Sequence, residues 1–259
     1  MAPEEIENTI NIMCDLAAQE TLPRFRTRLA VENKDSAGFD PVTEADQAAE
    51  AVLRKYVGEN YPSHGFVGEE APPHQADADY CWIVDPVDGT RAFISGLPSW
   101  GTLIGLAHNG EPLAGIMHQP FTGERYITTG NGTFLSHRGK KTALATSSVT
   151  RLEEAILLTT SPFLFPRDRI EKFRSVEGKC KLARYGFDCY GYAMVAAGHA
   201  DLVVESGLNT FDIAALIPII QQAGGKVTNW VGGPAIGGGD IIAAANPELH
   251  ALALDLLAP

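Results

Sequence analysis

The chain has 259 residues, 45% of them hydrophobic, and 32 Asp and Glu against 20 Lys and Arg give a formal net charge of −12. That length holds one large domain or two closely joined ones; the acidic balance argues against a nucleic-acid partner, whose phosphates need a basic surface, and no apolar run reaches the roughly 18 residues of a membrane-spanning helix. Cys14, Cys81, Cys180 and Cys189 are scattered, the start Met-Ala-Pro-Glu-Glu has neither the basic nor the apolar region of a signal peptide, and the seven histidines show no zinc-ligand spacing, so a reduced, cytoplasmic protein is expected.

Apolar positions Ile6, Ile10, Met13 and Ala17 recur at helical spacing, and residues 3–30 read as an opening helix slowed by Pro23. Residues 31–42, polar with Gly38 and Pro41, read as a loop. Thr43 is an N-cap for a second helix that continues through Ala51, Val52, Leu53 and Tyr56. Asp46, at the third helical position, suits a capping box; taken alone, it caps as readily as it serves a site. Gly65-Phe66-Val67-Gly68-Glu69-Glu70 is a short strand ending in paired acids, and residues 71–80 form a polar loop.

The next stretch, Cys81-Trp-Ile-Val-Asp85-Pro-Val-Asp88-Gly-Thr-Arg91, carries the chemistry. Four apolar or aromatic residues running into an aspartate form a buried strand. Pro86 then ends the ladder, having no N–H to give, and Asp88-Gly89 is a turn signal. Asp85 and Asp88 leave one strand three residues apart, and the turn can aim both at one spot. A short helix can open beyond Gly89 through Arg91, Ala92 and Phe93, where backbone N–H groups favour a phosphate. One turn thus offers ligands for a hard cation and a cradle for an anion. A bare Asp-x-x-Asp-Gly is more often a plain turn.

Apolar segments 102–108, 112–118, 124–129 and 133–136, separated by Asn109-Gly110, Thr122-Gly123 and Asn131-Gly132, form an antiparallel meander. The pattern changes near residue 150. Strand-like Ala155–Thr159, Lys181–Tyr185 and Asp201–Glu205 alternate with helical Ile170–Val176, Cys189–Ala197 and Asp212–Gln222; Pro218 should bend the last of these. Strands at Lys226–Trp230 and Ile241–Ala245 and a helix at Pro247–Leu257 close the chain. Such alternation means an α/β half, so residues 1–147 and 148–259 are expected to be two halves sharing one cleft. Asp188 and Glu205 lie at strand exits, where α/β sheets place ligands.

The run Asp85-Pro86-Val87-Asp88-Gly89-Thr90 resembles the Asp-Pro-Ile/Val-Asp-Gly-Thr signature of the inositol monophosphatase family. Asp40-Pro41-Val42-Thr43-Glu44-Ala45-Asp46-Gln47, Gly68-Glu69-Glu70 and Phe211-Asp212-Ile213-Ala214-Ala215 match its other elements in family order, and Lys34 answers loosely to its loop lysine. The resemblance implies a layered α-β-α-β-α sandwich of the inositol monophosphatase and fructose-1,6-bisphosphatase type, and Mg²⁺-dependent hydrolysis of a phosphate monoester. It implies two or three Mg²⁺ ions on the Glu69, Asp85, Asp88 and Asp212 carboxylates and the Val87 carbonyl, with Glu70 secondary. Asp46 and Thr90 would polarise the attacking water, with Glu69 also counted among the catalytic groups. A homodimer is expected because relatives form them. Crowded carboxylates raise one another's pKa, so a metal is close to obligatory for the site to stay charged.

Arg91 stands where inositol phosphatases usually have a second threonine, and Asn209 where many have histidine. The stretches from Asp88 to Pro98 and from Arg184 to Tyr190 look instead like the histidinol-phosphate phosphatase branch. The expected substrate is therefore L-histidinol phosphate, in histidine biosynthesis. Asp88, Gly89, Thr90, Arg91, Arg184, Asp188, Glu205, Asn209 and Asp212 would contact it, Asp188 and Glu205 holding its amine. Inositol 1-phosphate is the rival substrate, and a catalytically degenerate metal- or anion-binding regulatory module the rival of another class.

Overall fold

In the computed structural model, residues 1–28, 31–33 and 41–258 are described. Lys34 and Asp40 lie outside them. Helix α1 (Pro3–Thr21) places Pro3 at its first position, where the missing N–H costs nothing, and buries Ile6, Ile10, Met13 and Ala17. It ends at Thr21 rather than near residue 30: Pro23 cannot continue the ladder, so the helix stops ahead of it instead of bending. The expected loop over 31–42 contains two short strands, β1 (Val31–Asn33) and β2 (Pro41–Thr43), paired antiparallel. Helix α2 (Glu44–Asn60) follows, with the Thr43–Asp46 capping box formed.

A seven-stranded sheet comes next in the chain. It comprises β3 (Gly65–Gly68), β4 (Tyr80–Asp88), β5 (Gly101–His108), β6 (Glu111–Gln119), β7 (Glu124–Thr128), β8 (Thr133–His137) and β9 (Lys140–Leu144), in that order, with helix α3 (Thr90–Ile94) after β4. Only the β3–β4 pair is parallel. The meander has one strand more than its apolar segments foretold. The polar strand β9 is turned back by Arg138-Gly139, at φ 51° and 74°, a left-handed pair without the Asn-Gly signal.

The second sheet holds β10 (Ile156–Thr159), β11 (Leu182–Tyr185), β12 (Leu202–Leu208), β13 (Lys226–Asn229) and β14 (Gly239–Ala244), in the order β11-β10-β12-β14-β13. Its β10–β11 and β10–β12 pairs are parallel and the others antiparallel. Its helices are α4 (Arg167–Glu177), α5 (Asp188–Ala196), α6 (Thr210–Ile213), α7 (Leu216–Gln222) and α8 (Pro247–Leu257). The helix expected over Asp212–Gln222 is therefore two helices, broken at Ala214-Ala215 rather than bent at Pro218. The ring of Pro218 excludes the carbonyl four residues back, at Ala214.

Strand periodicity sorts these residues into layers. Ile104, Leu106 and Ile116 face α1 and α2, whereas their neighbours Leu103 and Met117 face α5 and α7. In the second sheet Val203, Ile241 and Ala243 face the same inner helices, and Leu202, Val204, Ile242 and Ala244 face α4 and α8. Both sheets are thus covered on both sides, which is why their strands read as continuous apolar runs rather than alternating ones. The result is the expected α-β-α-β-α sandwich. Each fully buried Leu, Ile or Phe in these cores contributes roughly 1.5–3 kcal/mol. Among the described residues no helix is long and apolar enough to cross a membrane.

Candidate active site

The strand β4 is buried along most of its length, and its carboxyl end carries the site. Pro86 does not end the ladder: the register shifts between Asp85 and Asp88, and pairing resumes at Asp88 opposite Gly101. The bulge is held from within. The Val87 N–H donates to Asp85 Oδ1 at 3.0 Å, and Thr102 Oγ1 donates to the Pro86 carbonyl at 2.9 Å. Gly89 then turns the chain at φ 83°, the left-handed region that favours glycine, and a Cβ there would crowd Asp188 Cβ at 3.1 Å.

Asp85, Asp88 and Asp212 present oxygens that all lie within 4.8 Å of one another. Asp212 reaches this point as the third residue of α6, in a capping box with Asn209, and its Oδ2 accepts the Asn209 N–H at 2.6 Å. It therefore does not open its helix, as the sequence suggested; Asn209 does. Asp88 Oδ2 accepts the Cys189 N–H at 2.6 Å.

These three line a cleft of 360 Å³ together with Glu69, Val87, Gly89, Thr90, Arg91, Asp188, Glu205 and Asn209. The volume is of small-molecule size. Residues from both sheets' ends meet there. Asp46 does not line it but stands behind Thr90, whose hydroxyl lies 3.4 Å from Asp46 Oδ1 and 3.1 Å from the Val87 carbonyl. Arg184 is absent from the cleft: it is exposed on β11, the edge strand, with β10 between it and the cleft-lining β12.

Burial pushes the Asp85 carboxyl well above the usual range, and Glu69, Asp88, Asp212 and Asp46 push it further. Burial, then Asp188 and Asp212, do the same to Asp88. Asp46 is raised to about 6, by burial against the pull of its Thr43 hydrogen bonds. Asp188 rises to about 6 and Glu205 to about 8, both chiefly by burial; hydrogen bonds from Thr160 oppose each shift, and Arg91 opposes that of Asp188. Crowded, desolvated carboxylates of this kind take up either protons or cations.

Asp188 is the first residue of α5, at φ 42°, left-handed for a non-glycine residue; Phe187 holds the capping position before it. Glu205 lies where β12 bulges between Glu205 and Leu208, and its Oε1 accepts the Thr160 N–H at 2.6 Å. Thr160 and Ser206 also line the cleft, and sequence reasoning passed over both. Their signal was position alone: Thr160 follows a predicted strand, and Ser206 follows Glu205.

The family model described as "Inositol monophosphatase family" matches residues 3–258. The chloroplastic bifunctional phosphatase IMPL2 of Arabidopsis thaliana is 38% identical over 258 residues, covering 95% of this chain and 73% of the relative. A histidinol-phosphatase of Chlorobaculum parvum is 33% identical, covering 80% of this chain and 79% of its own. Among solved structures, an inositol monophosphatase from Zymomonas mobilis superposes with TM-score 0.87 at 38% identity, covering 99% of each chain.

Proposed function

The chain belongs to the inositol monophosphatase family, and within it we propose that this phosphatase is Mg²⁺-dependent and takes L-histidinol phosphate, releasing L-histidinol and inorganic phosphate in histidine biosynthesis. The observation that carries the choice of substrate is the pair Asp188 and Glu205. Both carboxylates line the cleft outside the Asp85–Asp88–Asp212 trio, and burial raises both. A protonated amine beside the phosphate would relieve that cost; the hydroxyls of inositol would not. Asn209 adds a neutral polar group for the imidazole, and Arg91 pairs with the phosphate or an acid.

The donor set suits Mg²⁺, which prefers hard oxygen ligands and shares them with a substrate phosphate. Glu69, Asp85, Asp88 and Asp212 and the Val87 carbonyl would hold two or three ions. When bound, these supply charge neutralisation on the phosphoryl oxygens, an acidified water and help for the leaving oxygen.

The remaining work falls to the chain. Thr90 and Asp46 orient the water: the Thr90 hydroxyl is shared between Asp46 and Val87, leaving it aligned toward the turn. With its pKa near 6, Asp46 is a base of suitable strength for a proton passed through Thr90. A water oxygen–phosphorus bond forms, the ester phosphorus–oxygen bond breaks, and the departing oxygen takes a proton from solvent. The thiol of Cys189, next to the cleft-lining Asp188, is held well above the usual thiol range by burial, which disfavours a phosphocysteine intermediate. Gly89 and its neighbours offer backbone N–H groups to the phosphate.

The two halves, joined near residue 147, are proposed to act as one unit in a cytoplasmic homodimer, with neither nucleic acid nor membrane as partner. Phosphate release with and without Mg²⁺ tests the function across histidinol phosphate, inositol 1-phosphate, fructose 1,6-bisphosphate and adenosine 3′,5′-bisphosphate. The Zymomonas mobilis likeness favours inositol 1-phosphate as the second reading, and a preference for it would displace the first. Silence on all four would favour a non-catalytic module.

A further inference from the structure

Glu50 takes no part in the cleft, yet it is 1% exposed. It stands one helical turn beyond Asp46 on α2, and Arg54 one turn beyond that, so the three share a face. Glu50 Oε2 accepts the Glu70 N–H at 2.6 Å. Its Oε1 accepts the Ala71 N–H at 3.1 Å and an Arg54 N–H at 2.8 Å. Arg54 also donates to the Ala71 carbonyl at 3.1 Å and lies over the Phe66 ring. The turn that follows β3 is thus gripped at two N–H groups and one carbonyl by an ion pair on a helix. Gly68 makes this possible: a Cβ there would sit 2.4 Å from the Glu50 carboxyl carbon.

We propose that Glu50 is a positioning residue for metal binding, fixing the peptides after Glu69 and so the direction in which Glu69 offers its carboxylate. This rests on the reading of Glu69 as a Mg²⁺ ligand. The peptide whose N–H Glu50 holds is the one that carries the Glu69 carbonyl, so rotation of that peptide and drift of Glu69 are the same motion. Bonds to an ionised acceptor are the stronger kind, and here both carboxylate oxygens are used. Helix α2 then carries Asp46 and the clamp on Glu69 on one rigid rod, about 6 Å apart along the axis. Water orientation and metal ligation would keep their spacing through it.

The test is Mg²⁺ titration calorimetry on the whole chain stripped of metal. Glu50→Gln replaces one acceptor oxygen with an amide NH₂ that meets a backbone N–H, donor against donor. The folded variant should bind Mg²⁺ about ten- to a hundredfold more weakly, with turnover restored to near the parent value at saturating Mg²⁺. Parent-like Mg²⁺ affinity in folded protein overturns the proposal, and so does a turnover defect that saturating Mg²⁺ leaves in place. Should Glu50→Gln not fold, Arg54→Gln decides. It keeps both backbone bonds to Glu50, loses the bond to Ala71, and should weaken Mg²⁺ binding about two- to tenfold; unchanged affinity overturns the idea. Glu69→Gln, run in parallel, isolates the underlying reading. Parent-like Mg²⁺ binding there, or no binding by the parent, removes the metal role of Glu69 and this proposal with it. Weakened binding in Glu69→Gln but not in Glu50→Gln removes this proposal alone.

Discussion

Asp88 Oδ2 accepts the backbone N–H of Cys189 at 2.6 Å, a bond between residues 101 apart in the chain. It ties the central turn of the first sheet to the start of α5, while the same carboxylate forms the acidic trio with Asp85 and Asp212. Asp88→Asn keeps an acceptor for Cys189 but gives up the charge. Turnover should fall at least about a hundredfold, the scale of lost metal-site support, and EDTA should abolish the parent's activity. Steady-state phosphate release with and without Mg²⁺ measures both, and full activity after EDTA treatment would exclude a metal-dependent reaction.

Thr90→Ala should lower kcat far more than it raises KM, because orienting the water matters chiefly in the transition state. The hydroxyl lines the cleft and sits 3.4 Å from Asp46 Oδ1 and 3.1 Å from the Val87 carbonyl. A variant whose only defect is a raised KM would reassign Thr90 to substrate binding.

Asp188→Ala removes a cleft carboxylate that lies outside the Asp85–Asp88–Asp212 trio. Losing a charge-assisted contact to an amine costs roughly 1.5–3 kcal/mol, so kcat/KM for histidinol phosphate should drop about tenfold to a hundredfold. Hydrolysis of p-nitrophenyl phosphate, which has no amine, should be spared. Equal losses on the two substrates would mean that Asp188 supports the fold or the metals.

The Glu205 pKa of about 8 lies above its ordinary value because the folded state disfavours the charge. The stability this contributes is complete below the unfolded carboxyl pKa of about 4.3 and is lost as pH rises through the folded value. Metal-free protein should therefore melt at progressively lower temperature from about pH 5 to pH 8. Glu205→Gln, which stays neutral, should flatten that slope. Calorimetry in EDTA reads both; a slope unaltered by the substitution would place the titration elsewhere.

The sequence by itself determined whatever depends on neighbours a few residues apart. The Thr43–Asp46 capping box, the β4 run into Asp85 and Asp88, and the hairpin at Asn109-Gly110 all formed as local spacing required. The helix starting at Pro247 did too. Periodicity carried the layers, because residues buried on both faces of a sheet have no polar alternative. Tertiary structure alone decided what depends on partners far away. Arg184 sits beside Asp188 in the branch motif, yet strand order carries β11 to the sheet edge and the arginine with it into solvent. Thr160 and Ser206 carry no motif and enter the cleft because β10 ends and β12 bulges there. Strand β9 forms although its residues are polar, since pairing with β8 supplies the backbone bonds that its side chains do not demand. Glu50, silent in the sequence as one more acid on a helix, is buried against a turn twenty residues on. Backbone N–H groups, which every residue has, make that contact, so no pattern of side chains could have announced it.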